Sequence, residues 1–365
     1  MTDILAIGTA LPTYRHAQKD ILTFMQRVYA LDATEERKLR FLYKHSGIAY
    51  RYSFIPDYSK PMREWKFYPP EESLEPFPNL EFRMSWFQKY AAALSVDAIR
   101  DCLQHYGPER PAITHLITVS CTGMSAPGLD LQVMEMMELP RQLHRSSINF
   151  MGCYAALHAL KQADSICKAD PTAKVLMVCT ELCTLHFQKV PTADNITASL
   201  LFGDGAAAVL LGAGSTSKKI ASLRGFYAEV VPKGKRDMSW ELSSTGFLMT
   251  LSGYIPELIS TDFKPLLERA MQHYQLGLHQ IDSWCIHPGG KRILEAVQQS
   301  LQLEEQALES AEAVLREFGN MSSPSVLFVL KRIIEAGKKG KVLAAAFGPG
   351  LTMETCFLEI PAADE

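Results

Sequence analysis

Short runs of consecutive apolar residues alternate with segments whose apolar positions return every three or four residues, from one end of the chain to the other. A brief apolar run bounded by turn residues predicts a strand buried on both faces. Such runs stand at 112–120 (AITHLITVS), 174–181 (KVLMVCTE) and 206–212 (AAAVLLG). Between the first two, 153–168 (CYAALHALKQADSICK) places Leu157, Leu160, Ala163 and Ile166 at helical spacing. A Gly/Ser/Lys break at 212–219 marks a seam, and the alternation then resumes. A strand at 281–286 stops at HPGG, and helices follow at 291–301 and 304–318, the second closed by Gly319. A further helix is announced by Ser323 as N-cap, Pro324 at the first helical position and Gly337 past the end. Strands at 341–347 and 352–360 are joined by GPGL. The layout predicts an α/β protein of two similar halves, 1–214 and 215–365, without a clear sequence repeat between them.

The stretch 53–80 breaks this rhythm with six prolines and several aromatics, so it is neither regular helix nor central strand. It reads as an ordered excursion over the surface: either a plain structural loop, or a cover over a site or a partner subunit.

Composition narrows the function classes. The chain has 365 residues, 37 basic and 40 acidic, for a net charge of −3 without a long run of either sign. That argues against nucleic acid or an anionic membrane surface as the main partner. No apolar run reaches the length of a membrane span, and MTDILAIGTALPTY lacks the basic start and apolar core of a signal peptide. A cytoplasmic protein with reduced cysteines is expected. The eight cysteines are scattered, and the close pairs Cys179/Cys183 and Cys285/His287 do not match structural zinc spacings. No metal is expected.

Three polar residues stand at element ends, where chemistry is usually placed. Cys153 follows Gly152 at the start of the 153–168 helix, where a helix dipole favours a thiolate. His287 opens HPGG, and Asn320 sits in FGNMSSPS between two helices. Singly, each fits a structural role as well: a buried thiol, a satisfied histidine, a turn asparagine. Together they allow a thiolate nucleophile, an imidazole partner and an amide donor.

GCYAALHAL, LLFGDGAAAVLL, WCIHPGGKRILEAV, EFGNMSSPSVLFVL and AAFGPGLTMET follow the order and rough spacing of the chalcone synthase-like type III polyketide synthases. The chain resembles these thiolase-like condensing enzymes, of microbial type, from ILAIGTALP to its last strand. The resemblance implies a five-layered αβαβα fold, with the nucleophile in the first half and the histidine and asparagine in the second. It implies acyl-CoA and malonyl-CoA as substrates, no further cofactor, and a homodimer. Cys153 matches the acyl-accepting cysteine. His287 matches the histidine that holds the thiolate as an ion pair and assists decarboxylation, and Asn320 the amide that joins it at the thioester oxygen.

Other positions follow from the same comparison. Phe202 in LLFGDG matches an aromatic gate, while Met249 falls where the second gate is phenylalanine. Trp240 stands where plant enzymes have a small glycine, which points to closed aromatic-starter space and a fatty acyl starter. Cys121, Cys183 and His186 replace pocket threonines, Cys121 being either a second reactive thiol or a passive wall. Ser322 joins them in the substrate pocket. Lys38, Arg40 and Lys44, with Arg51 nearby, are the candidates for the CoA phosphates; a solvated basic helix face is the alternative. The partner-reaching methionine of the family falls on Ala126, two residues after Met124. The expected activity is iterative decarboxylative condensation of malonyl-CoA on an acyl starter, closing to a pyrone, resorcinol or related ring. Alternatives are a single-round β-ketoacyl synthase III-like enzyme and a silent acyl-CoA-binding protein.

Overall fold

The computed structural model describes residues 1–108, 111–214 and 219–362. Of the expected seam at 212–219, residues 215–218 lie outside the described residues. The strands are β1 (Thr2–Ala10), β2 (Tyr14–Ala17), β3 (Tyr50–Ser53), β4 (His115–Ser120), β5 (His144–Asn149), β6 (Lys174–Leu182), β7 (Asp204–Ala213), β8 (Ala221–Val230), β9 (Met238–Ser243), β10 (Gly246–Leu251), β11 (Ser283–Ile286), β12 (Gly340–Gly348) and β13 (Thr352–Ile360). The helices are α1 (Gln18–Tyr29), α2 (Ala33–His45), α3 (Leu80–Tyr106), α4 (Leu129–Met136), α5 (Ala155–Ala169), α6 (Ala193–Leu201), α7 (Ile255–Tyr274), α8 (Lys291–Leu301), α9 (Glu309–Phe318) and α10 (Ser325–Glu335).

Nine strands form one sheet in the order β11-β12-β13-β8-β1-β7-β6-β4-β5. The two halves meet where Thr2, Asp3 and Ile4 of β1 pair with Leu223, Ser222 and Ala221 of β8. The apolar runs read from sequence are central strands of this sheet, and β6 and β7 are buried almost end to end. Both faces are covered, which is why these strands carry no polar alternation.

Two helices lie between the halves. α5 touches β4, β6 and β7 on one side and β12 and β13 on the other, and α10 touches β11 and β12 as well as β1 and β7. Alanines 155, 156, 159 and 163 let α5 fit between two sheet faces, and residues 326–330 of α10 are buried in succession. A helix that is apolar on every side belongs inside. α3 covers β1, β6 and β7, while α7 lies on β8 and α8. The sheet is continuous through the β1–β8 pairing, and strands from its two ends pack against α5 and α10. Outer helices, one half of the sheet, buried helices, the other half and outer helices thus make the five-layered αβαβα arrangement of a thiolase-like fold.

Local expectations shift at three places. α5 begins at Ala155, two residues after Cys153, and α9 begins at Glu309 rather than 304. Ser323 does not cap α10: Pro324 is the N-cap residue, without a capping side chain. The Ser323 hydroxyl instead donates to Glu181 Oε1 at 2.7 Å, where a buried carboxyl needs donors more than a helix end does.

The excursion after β3 is pinned by Asp57, whose carboxylate accepts from the amides of Lys66, Phe67 and Tyr68 at 2.8, 3.0 and 2.7 Å. Tyr58 and Tyr68 pack around Phe24 and Phe187. Ser53 and Tyr58 line the central cavity, so the segment is a wall of that cavity. No helix among the described residues is long and apolar enough to cross a membrane.

The approach of α3 to β1 depends on Gly8, where an added Cβ would stand 2.0 Å from the Cys102 amide nitrogen and 2.4 Å from the Ala98 carbonyl. Backbone atoms cannot yield locally. Gly8→Ala is expected to destabilise the protein by about 3 kcal/mol in denaturant unfolding. Gly253→Ala, with no atom within 4 Å of its new Cβ, is expected to stay within about 0.5 kcal/mol of the parent.

Candidate active site

Cys153 stands in the turn from β5 to α5. Phe150 (φ 58°) and Gly152 (φ 81°) both take left-handed backbone there. Gly152 is required twice over, since a Cβ would also fall 2.2 Å from Cδ of Pro349 in the other half. The Gly152 amide donates to Cys121 Sγ at 2.9 Å, which fixes the turn against the 121–128 loop.

His287 follows β11. Its amide donates to the Ala345 carbonyl at 2.8 Å, and the Gly289 amide donates back to the His287 carbonyl at 2.8 Å. The ring is 1% exposed, and neither nitrogen has a hydrogen-bond partner. Asn320 follows the left-handed Gly319 and pairs across the halves. Its amide donates to the Leu201 carbonyl at 2.9 Å, and its carbonyl accepts from Gly203 at 3.0 Å. Asn320 Oδ1 accepts from the Ser322 amide at 2.8 Å, leaving Nδ2 as the available donor, 3.3 Å from the Gly289 carbonyl. Ser322 itself is held at φ 60°. The same bridge places Phe202 between α6 and β7.

Cys153, His287, Asn320, Ser322 and Phe202 all line one cavity of about 550 Å³. Trp240 and Met249, paired in register on β9 and β10, line it from the second half. Cys121, Cys183 and His186 complete the wall. His186 is locked: Nδ1 accepts from the Phe247 amide at 3.1 Å, so Nε2–H donates to the Thr122 carbonyl at 2.7 Å. Its ring stacks on Phe247, with centroids 4.2 Å apart. Trp240 packs edge-on against both rings and donates Nε1–H to the Cys121 carbonyl at 2.7 Å. His186, Trp240 and Phe247 therefore form a rigid aromatic wall.

Burial dominates the electrostatics. It pushes the Cys153 thiol up to about 11, against hydrogen bonds from Ser322 and Asn320 that favour the thiolate. Burial alone lowers His287 to about 3. Burial thus disfavours the charged form of each group taken singly. Burial lifts Cys121 and Cys183 well above the ordinary thiol value, and the Cys121 sulfur is already occupied by the Gly152 amide. That is the setting of a wall.

Of the expected phosphate ligands, Lys38 lines a second hollow that shares Phe41 and Leu42 with the cavity. Lys38, Arg40 and Lys44 are exposed on α2 and do not line the cavity; Arg40 pairs with Glu36 at 2.7 Å. The resemblance of the segment did not tell which side of α2 faces the mouth, and that side carries Phe41, Leu42 and His45. Arg51 is 4% exposed and points inward, donating to Gln18 Oε1 at 3.0 Å and to the Phe202 carbonyl at 2.7 Å.

One group escaped the sequence reading. Glu181, at the end of β6, is fully buried beside Cys153 and accepts from the Cys121 amide (2.9 Å), Thr122 Oγ1 (2.9 Å) and Ser323 Oγ (2.7 Å). The signal was a lone acid closing an apolar strand.

The chain is similar to known proteins along nearly its whole length. Residues 1–215 match the family described as chalcone and stilbene synthases, N-terminal domain, and residues 223–361 match its C-terminal domain. The chain belongs to the chalcone and stilbene synthase family, and is an enzyme of the type III polyketide synthase class. It is 31% identical over 286 residues to the alpha-pyrone synthesis polyketide synthase-like Pks18 of Mycobacterium tuberculosis, covering 76% of this chain and 73% of that protein. It is 30% identical over 368 residues to probable polyketide synthase 1 of Dictyostelium discoideum, covering 98% of this chain but only 11% of that much longer protein. The crystal structure of PKS-I from the brown alga Ectocarpus siliculosus superposes with a TM-score of 0.93 at 29% identity, covering 99% of this chain and 98% of the other.

Burial raises the Glu181 carboxyl from 4.5 to about 7. At this carboxyl the folded state therefore binds more protons than the unfolded state between those values, and its contribution to stability falls as pH rises through that window. Asp204, also raised to about 7, adds the same trend. Glu181→Gln removes one of the two contributions. Between pH 4.5 and 7.5 the variant is expected to lose about 2–3 kcal/mol less than the parent, in urea unfolding at each pH. Equal losses would place Glu181 in a more polar setting.

Proposed function

We propose that this enzyme transfers an acyl group from an acyl-CoA to Cys153 and extends it with units from malonyl-CoA. The observation that carries the reading is the convergence of Cys153, His287 and Asn320 on one cavity, the first from one half and the other two from the second. The division of labour follows the halves 1–214 and 215–365.

In loading, Sγ of Cys153 attacks the thioester carbonyl, His287 takes the thiol proton as the bond forms, and the proton then leaves with the CoA thiol. Burial, which disfavours a charge on either group alone, supports moving the proton as the bond forms. In extension, loss of CO2 from the malonyl group leaves an enolate. A neutral imidazole N–H and Asn320 Nδ2 act as the two donors at its oxygen, a preorganised oxyanion hole. Burial suits His287 to this second task, since a neutral ring donates without bringing a charge into a dry site. The carbanion attacks the acyl thioester, releasing the Cys153 sulfur for reloading.

The cavity favours a flexible apolar starter. The wall of His186, Trp240 and Phe247 closes one side, while Ile21, Met25 and Phe187 extend the lining elsewhere. Met249 replaces a rigid gate ring by an unbranched chain. These features support a fatty acyl starter and closure to a pyrone or resorcinol. The 121–128 loop, with Met124 44% exposed, is the surface we propose for a homodimer.

Mass spectrometry of products from malonyl-CoA with acyl-CoAs of increasing chain length tests this reading. Triketide or tetraketide rings on a medium or long alkyl starter are expected. Asn320→Ala should lower kcat by ~10²–10³. β-Keto acids from one addition would instead make this a single-round condensing enzyme.

A further inference from the structure

The mouth of the cavity has two unlike lips. One is α2, which presents Phe41, Leu42 and His45. Phe41 is 61% exposed and lies on the His45 ring with centroids 4.1 Å apart. The other is the first turn of α8, which presents Lys291, Arg292 and Glu295. The lips touch at Gly47, directly after α2: a Cβ there would meet Cβ of Lys291 at 3.4 Å. The aliphatic stem of Lys291 thereby lies at the mouth beside Gly47. That ammonium stands 3.7 Å from Glu295 between two half-exposed side chains, a pairing weak enough to exchange for a better anion. Arg292 is exposed and makes no ion pair among the described residues.

Resting on the proposed use of CoA thioesters, we infer that Lys291 and Arg292 hold the phosphates of the CoA nucleotide, and that its adenine lies on Phe41. Recognition is thus shared across the mouth, with charge on α8 and a flat apolar face on α2, rather than carried by the α2 cations. Two groups fit the ligand's chemistry. A guanidinium fork and an ammonium match phosphate oxygens. An exposed aromatic ring offers a stacking face for a purine. An exposed Phe beside a tunnel mouth otherwise spends apolar surface on water. The pantetheine arm then runs inward between the lips to Cys153.

The test compares malonyl-CoA with the malonyl thioester of N-acetylcysteamine, which has no nucleotide, on the intact enzyme. Arg292→Ala and Lys291→Ala are each expected to raise KM for malonyl-CoA about tenfold with kcat unchanged, the mark of lost uniform binding. Phe41→Ala should raise it a few-fold, and Arg292→Lys should recover most of the loss. None of these variants should change the constants for the short thioester. Lys38→Ala, Arg40→Ala and Lys44→Ala should stay within about twofold of the parent. The inference fails if the α2 cations raise KM and the α8 cations do not, or if KM rises equally for both thioesters. Those results would leave the condensing activity standing. A parent enzyme that turns over neither thioester would remove the functional reading as well.

Discussion

The site depends on one buried carboxyl. Glu181 sits near Cys153, the proposed nucleophile, with donors from the 121–128 loop and from Ser323 of the other half. A buried acid without donors costs several kcal/mol, so the loop and the head of α10 are drawn toward it. The Cys121 sulfur receives the Gly152 amide, and the Cys153 turn is set by that contact. Position passes from an acid to a loop to a turn to a thiol, through hydrogen bonds of 2.9 Å or less.

A second tie closes the other side of the cavity. The backbone of Asn320 pairs with residues 201 and 203, which fixes Asn320 and Phe202, the proposed gate, in a single step. The buried Arg51 holds the same gate by its carbonyl. Because the halves are joined at both places, nucleophile and donors are placed by the core rather than by mobile loops. The dry surroundings that make this possible also disfavour a lone charge on His287 or Cys153.

Much of this was legible in the chain. The buried strands were visible because a sheet covered on both faces needs unbroken apolar runs, and Gly152, Gly319 and HPGG mark real turns. Cys153, His287 and Asn320 could be named because their motifs are local. What stayed hidden was held by distant partners. Glu181 is explained by residues 60 and 142 positions away, and its neighbours in sequence are simply a strand. Ser323 was misread for the same reason, its hydroxyl having a local use as a cap and a remote use at Glu181. The cations of α2 were expected at the phosphates from the resemblance of their segment to the family's, which gives charge without direction. Only the packing of Lys291 on Gly47 shows which helix turns its charges to the mouth.

The central claim is that the turn supported by Glu181 makes Cys153, among three neighbouring thiols, the acyl acceptor. The most direct measurement is peptide mapping by mass spectrometry after brief incubation of the enzyme with a fatty acyl-CoA alone. The account predicts a single acyl adduct on Cys153 that is discharged by malonyl-CoA. An adduct on Cys121 or Cys183, or one on Cys153 that malonyl-CoA leaves in place, would contradict it.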